Sequence, residues 1–102
     1  MVTITVQSLK SIKDKTFGLL GSKKAHPVLI KTRFGIHTFG LKFPIDVVIL
    51  DKRNTIKAVQ NDLKPNKLFF WNPIYDGVLE LPKGMIQELG LRTGMPLVLQ
   101  TM

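Results

Sequence analysis

From Val2 to Val6 the chain alternates Val, Thr, Ile, Thr, Val. In an extended segment a period of two places the three aliphatic side chains on one face and the two threonines on the other. A helix would scatter these residues around its axis, and β-branched side chains lose rotamer freedom there. Similar β-rich runs recur between turn-forming residues along the whole sequence, so the chain is expected to build a sheet.

Residues 2–7 read as the first strand. Pro27 to Ile30 starts another, and Phe34 to Phe39 continues extended. Asp46 to Leu50 is the strongest strand, with Val47, Val48, Ile49 and Leu50 in succession. Asp51-Lys52-Arg53-Asn54 is a polar turn and Thr55 to Val59 returns, which predicts a hairpin over 46–59. Leu68 to Trp71 is short and aromatic, between the breaks Lys64-Pro65-Asn66 and Asn72-Pro73. Val78 to Leu81 is a strand with Leu79 and Leu81 on one face and Glu80 on the other, and Leu97 to Gln100 is a closing strand.

Helical signals are short. Ser11-Ile12-Lys13-Asp14 resembles a capping box with Asp in place of Glu and predicts a helix from about 11 to 19, weakened by Gly18 and Gly21. Residues 22–26 read as a basic loop. Met85, Ile86 and Leu89 make an apolar stripe on a short helix, with Gly90 suited to the left-handed position after its end. The expected fold is mainly β: a small antiparallel sandwich or barrel-like roll with one or two short helices, as a single domain over residues 1–102.

Hydrophobic residues make up 44% of the 102, enough for a core without staples, and there is no cysteine. Disulfides and thiolate-ligated metal sites are thereby excluded. The first seven residues lack a basic region followed by a long apolar one, and no apolar stretch is long enough to span a bilayer. A cytoplasmic protein without membrane association is expected.

The net charge of +8 is concentrated in one half: residues 1–45 carry eight Lys/Arg against Asp14 alone, and residues 46–102 carry seven against six acids. Such a field attracts polyanions, nucleic acid among them. Lys10, Lys13, Lys15, Lys23, Lys24 and Lys31 are the candidate contacts; a solvated, solubility-giving surface is the plainer alternative. Phe69-Phe70-Trp71 must turn at least one ring away from the core if extended, and exposed aromatics beside cations suit single-stranded nucleic acid; a strand covered on both faces, or aromatic packing under a loop, is the plainer alternative.

No catalytic motif is present, and His26 and His37 have no metal-ligand spacing, so neither cofactor nor metal is expected. The densest polar segment runs from Arg33 to Asp46. If extended, it places Arg33, Gly35, His37 and Phe39 on one side and Phe34, Ile36 and Thr38 on the other, with Arg33 and His37 about 13 Å apart. An anion would fit over Gly35; alternatively Arg33 is paired or solvated and His37 bonds a backbone group. Asp46 shares a face with Val48 and Leu50, so its carboxylate must be hydrogen-bonded or protonated. It is either a buried base or an acceptor of backbone N–H groups that fixes the turn after Pro44. Glu80 is expected to pair with a cation on an adjacent strand, or to be the second acid of a site.

The run Gly35 to Asp51, then Val78-Leu79-Glu80-Leu81-Pro82-Lys83-Gly84, then Gly90-Leu91-Arg92-Thr93-Gly94, resembles the family catalogued as domain of unknown function 192. Phe17-Gly18-Leu19-Leu20-Gly21 is similar to that family's Gly-Leu-Met-Gly-type stretch. Thr16-Phe17 stands where the family often has Arg before its Gly-Leu pair, and Met95-Pro96 follows Gly94 where Asp is common. The resemblance implies a compact, mainly β fold with a short helix and implies no activity. Its recurring positions fall on Gly35, His37, Thr38, Gly40, Pro44, Asp46, Glu80 and Gly84.

The pattern favours a binding or accessory domain over an enzyme, with an anionic partner engaged by the basic half. Arg33, His37, Thr38, Asp46 and Glu80 are the candidate ligand-binding residues. The alternatives are a ligand-binding or enzymatic pocket built from Arg33, His37, Asp46 and Glu80, and a structural subunit of a larger assembly.

Overall fold

The computed structural model describes residues 1–9 and 25–101. Eight strands and one short helix lie in this part: β1 (Val2–Leu9), β2 (Val28–Lys31), β3 (Ile36–His37), β4 (Ile45–Leu50), β5 (Ile56–Leu63), β6 (Leu68–Phe69), β7 (Gly77–Pro82), α1 (Met85–Leu89) and β8 (Leu97–Thr101). The expected helix over 11–19, and Lys10, Lys13, Lys15, Lys23 and Lys24 with it, fall outside the described residues.

Six strands form one sheet in the order β5-β4-β7-β2-β1-β8, and β3 pairs with β6 in a separate two-stranded ribbon. Most pairs are antiparallel, but β1 runs parallel to both of its neighbours. Its first half, Val2 to Val6, pairs with Leu97 to Thr101, and its second half, from Gln7, pairs with β2. The sheet curls until its two edge strands meet at one end. There Thr55 bridges Pro96, the Ile56 amide donates to Met95 O at 2.9 Å, and the Leu97 amide donates to Asn54 O at 2.9 Å. The barrel-like roll, not the flat-layered sandwich, is therefore the arrangement adopted.

The concave face holds Ile4, Val6, Val48, Leu50, Ile56, Leu79, Leu81 and Leu97, closed at one end by Ile86 of α1. The convex face carries Val28, Ile30, Ile45, Val47, Ile49 and Val78, and the β3–β6 ribbon covers it with Ile36 and Phe69. Covering both faces buries all six residues of β4, which explains why that strand reads as continuous apolar sequence rather than as alternation. Residues 34–39, expected to be extended, pair as a strand only at Ile36–His37. Gly35 adopts φ 97° and breaks the alternation, so Phe34 is turned out to solvent at 83% exposure instead of sharing the inward face of Ile36 and Thr38. Similarly, only Leu68–Phe69 of the aromatic run is a strand: Phe69 and Trp71 pack inward, and Phe70 is the ring left exposed.

Candidate functional site

The convex layer does not seal completely. Between the segment 30–37 and β7 lies a cavity of about 430 Å³, lined by Ile30, Lys31, Thr32, Arg33, Phe34, Gly35, Ile36, His37, Asp76 and Glu80. Three of the five candidate ligand-binding residues, Arg33, His37 and Glu80, meet there.

Glu80 is only 6% exposed. Alternation along β7 puts it on the convex face with Val78, and its cross-strand neighbours are Val28 on β2 and Val47 on β4. The expected pairing with a cation on an adjacent strand is not seen among the described residues: both direct cross-strand neighbours are valines, and Lys31 of β2, at the cavity rim, makes no ion pair with Glu80. Among the described residues the carboxyl makes no hydrogen bond or ion pair, and burial pushes it up to about 7. Near neutrality it is thus divided between the acid, which donates and accepts one hydrogen bond each, and the carboxylate, which only accepts.

Arg33 is paired rather than free. Its Nη2 lies 3.4 Å from Asp76 Oδ2 and its Nη1 donates to Pro73 O at 3.2 Å. The guanidinium is about half exposed, and two of its five donors are engaged. The His37 ring stacks on Phe39 at 5.4 Å between centroids. Asp76 had no signal in the sequence. It enters the site because the Thr32 amide donates to its carbonyl at 2.9 Å, which ties the start of the 32–44 excursion to the entry of β7.

Asp46 and Thr38 hold the fold and stand apart from the cavity. Asp46 is paired with Leu81 in the β4–β7 register, one step from Glu80, but it points into the concave side. Its Oδ1 accepts the Asp62 amide and its Oδ2 accepts the Gly84 and Ile86 amides, each at 3.0 Å. The carboxylate therefore ties a β-bulge in β5, where Asp62 has φ 52°, to the start of α1. It accepts backbone N–H groups as the plainer expectation held, but it secures these two elements rather than the turn after Pro44. Thr38 Oγ1 donates to Lys64 O at 2.7 Å and accepts from the Lys67 amide at 2.9 Å. It fastens the 64–67 turn to the ribbon. A pocket of His37, Asp46 and Glu80 does not form, because Asp46 and Glu80 lie on opposite faces of one sheet.

Of the six candidate polyanion contacts only Lys31 is among the described residues, and it stands at the cavity rim. No described helix is long and apolar enough to cross a membrane.

The family described as "Uncharacterized ACR", domain of unknown function 192, matches residues 2–99, and the chain belongs to it. No curated protein matches the sequence. Two solved structures share the fold. One is a protein from Sinorhizobium meliloti 1021 whose description suggests a transcription regulator, at 17% identity and a TM-score of 0.73 over 87% of this chain and 76% of that one. The other is a protein of unknown function from Novosphingobium aromaticivorans DSM 12444, at 12% identity and a TM-score of 0.78 over 87% of this chain and 70% of that one. At these identities the likeness is one of fold.

Proposed function

We propose that this member of a family without an assigned activity is a small-molecule-binding domain whose ligand occupies the cavity over Glu80. The observation that carries the reading is a buried carboxyl left without a partner among the described residues, lining a cavity of about 430 Å³. That volume lies in the range of ordinary ligand pockets, roughly 300–1,000 Å³. A lone buried polar group lowers stability, and Val or Leu at this position would continue the apolar row of Val28 and Val47. Ile30, Ile36 and Phe34 supply apolar wall, while Lys31, Arg33 and His37 supply a polar rim.

Amide-resolved NMR titration with a mixed set of small organic molecules tests this. Shifts clustered at residues 30–37 and 76–80 are expected for some members, and lost in Glu80→Leu. Shifts that ignore these segments for every molecule would sink the reading.

The polyanion reading rests on charge and on the exposed Phe70 ring, since five of its six lysines lie outside the described residues. Oligonucleotide titration at two salt concentrations checks it. No binding at about 50 mM salt, where non-specific contacts are strong, removes it.

A further inference from the structure

We propose that the cavity takes a small organic anion, with its charged group at the Lys31 and Arg33 rim and a neutral hydroxyl or carbonyl against Glu80, and that it binds the chain with Glu80 protonated. This rests on the reading of the cavity as a ligand site and adds the chemistry of the ligand.

The donor and acceptor inventory selects among ligand classes. An ammonium group brings three N–H donors. The floor offers it a single carboxyl set among Val28, Val47, Ile30 and Ile36, and Asp76 is already engaged by Arg33. An amine buried there would leave donors unpaired, at a cost that a neutral polar group avoids. A protonated carboxyl presents one donor and one acceptor, which a hydroxyl or a carbonyl satisfies. The rim has the opposite character. Lys31 is exposed with no ion pair among the described residues, and Arg33 keeps donors beyond those spent on Asp76 and Pro73. The chain's net charge of +8 also draws anions and repels cations.

Protonation follows from the burial of Glu80 between valines, not from its charged surroundings. The charged groups that share its cavity are Lys31, Arg33 and His37 from β2 and the segment after it and Asp76 from the loop before β7; β4 contributes Val47, with Asp46 turned to the other face. An ionised Glu80 on the cavity floor would repel an entering anion, whereas the acid form does not. Since burial already pushes this carboxyl up to about 7, the proton is available near neutral pH. Binding is thereby coupled to proton uptake, about half a proton near pH 7 and approaching one well above it, and the site releases its anion as pH rises.

The test uses the full chain and follows backbone amides by NMR with three probes: 4-(hydroxymethyl)benzoate, its amine counterpart 4-(hydroxymethyl)benzylamine, and phenyl phosphate. The benzoate is expected to shift residues 30–37 and 76–80, and the amine to leave them unmoved. Phenyl phosphate distinguishes a phosphate-bearing ligand from a carboxylic acid. For a ligand that binds only the protonated form, apparent affinity scales with the protonated fraction, so benzoate affinity should fall about 30-fold between about pH 6 and about pH 8.5. Glu80→Gln should bind the benzoate equally at both values. His37→Asn should keep most of the fall, which separates the carboxyl from the imidazole. If Glu80→Gln does not fold, the double variant Lys31→Gln/Arg33→Gln is expected to weaken the benzoate at least tenfold. Amine binding in the cavity, a pH dependence that persists in Glu80→Gln, or an unchanged affinity in the double variant would overturn the anion proposal while leaving the cavity as a ligand site. If none of the three probes moves these amides, the ligand site itself is refuted as well.

Discussion

Replacing Glu80 by Gln should change how stability depends on pH. The carboxyl titrates at about 7 in the folded chain against an ordinary value of 4.5, so between those two pH values the folded state holds a proton that the unfolded state has lost. Stability then declines as pH rises, because the unfolded chain binds fewer protons. The contribution is whole below about 4.5 and is lost as pH passes through about 7. At about 1.36 kcal/mol per pH unit the interval amounts to about 3 kcal/mol. For a domain of this size that corresponds to a melting-temperature change on the order of 10–20 °C. Gln keeps the shape and cannot ionise, so the variant should match the parent near pH 4.5 and exceed it by about 3 kcal/mol near pH 8. Urea unfolding followed by Trp71 fluorescence across this range measures the difference, and the comparison cancels groups common to both chains. Asp51 and Asp62 work in the opposite sense. The Thr55 amide holds Asp51 low and Lys64 holds Asp62 low, so their contributions disappear only in more acidic solution. Parallel stability curves for the two chains would refute the assignment of a buried carboxyl without a partner among the described residues.

Asp46→Ala strands three backbone donors at once. It should cost about 3 kcal/mol or more, with faster amide exchange at Asp62, Gly84 and Ile86; a loss below about 1 kcal/mol would contradict the anchoring role. Thr38→Val removes both side-chain bonds to the 64–67 turn and should cost about 2 kcal/mol in thermal melts, with the cavity's ligand shifts unchanged. Gly35→Ala would place a Cβ 2.6 Å from Phe70 Cδ1 on a backbone at φ 97°. Destabilisation of about 1–3 kcal/mol and altered amide shifts across 33–37 are expected, and a neutral melt would show that the ribbon yields easily there.

Element identity was legible because it is written locally. The alternation of Val2 to Val6, the polar turn at Asp51 to Asn54, and the Met85, Ile86, Leu89 stripe each specify a strand, a hairpin or a helix from neighbouring residues alone. The need of Asp46 for hydrogen bonds was legible too, since parity sets it beside Val48 and Leu50. Its partners were not, because the Asp62, Gly84 and Ile86 amides come within reach only after a bulge in β5 and the turn into α1 have formed.

The cavity belongs wholly to the tertiary structure. Sequence parity puts Glu80 opposite Leu79 and Leu81, which suggests a half-exposed strand and a salt bridge. The two excursions 32–44 and 64–76 fold back over that face as the β3–β6 ribbon and bury the carboxyl between valines instead. Likewise, the placement of Arg33 beside Asp76, forty-three residues apart, follows from the closure of those excursions. Period and turn chemistry act between near neighbours and so can be read along the chain. Strand order, and which face the second layer covers, depend on contacts between distant segments that no local pattern encodes.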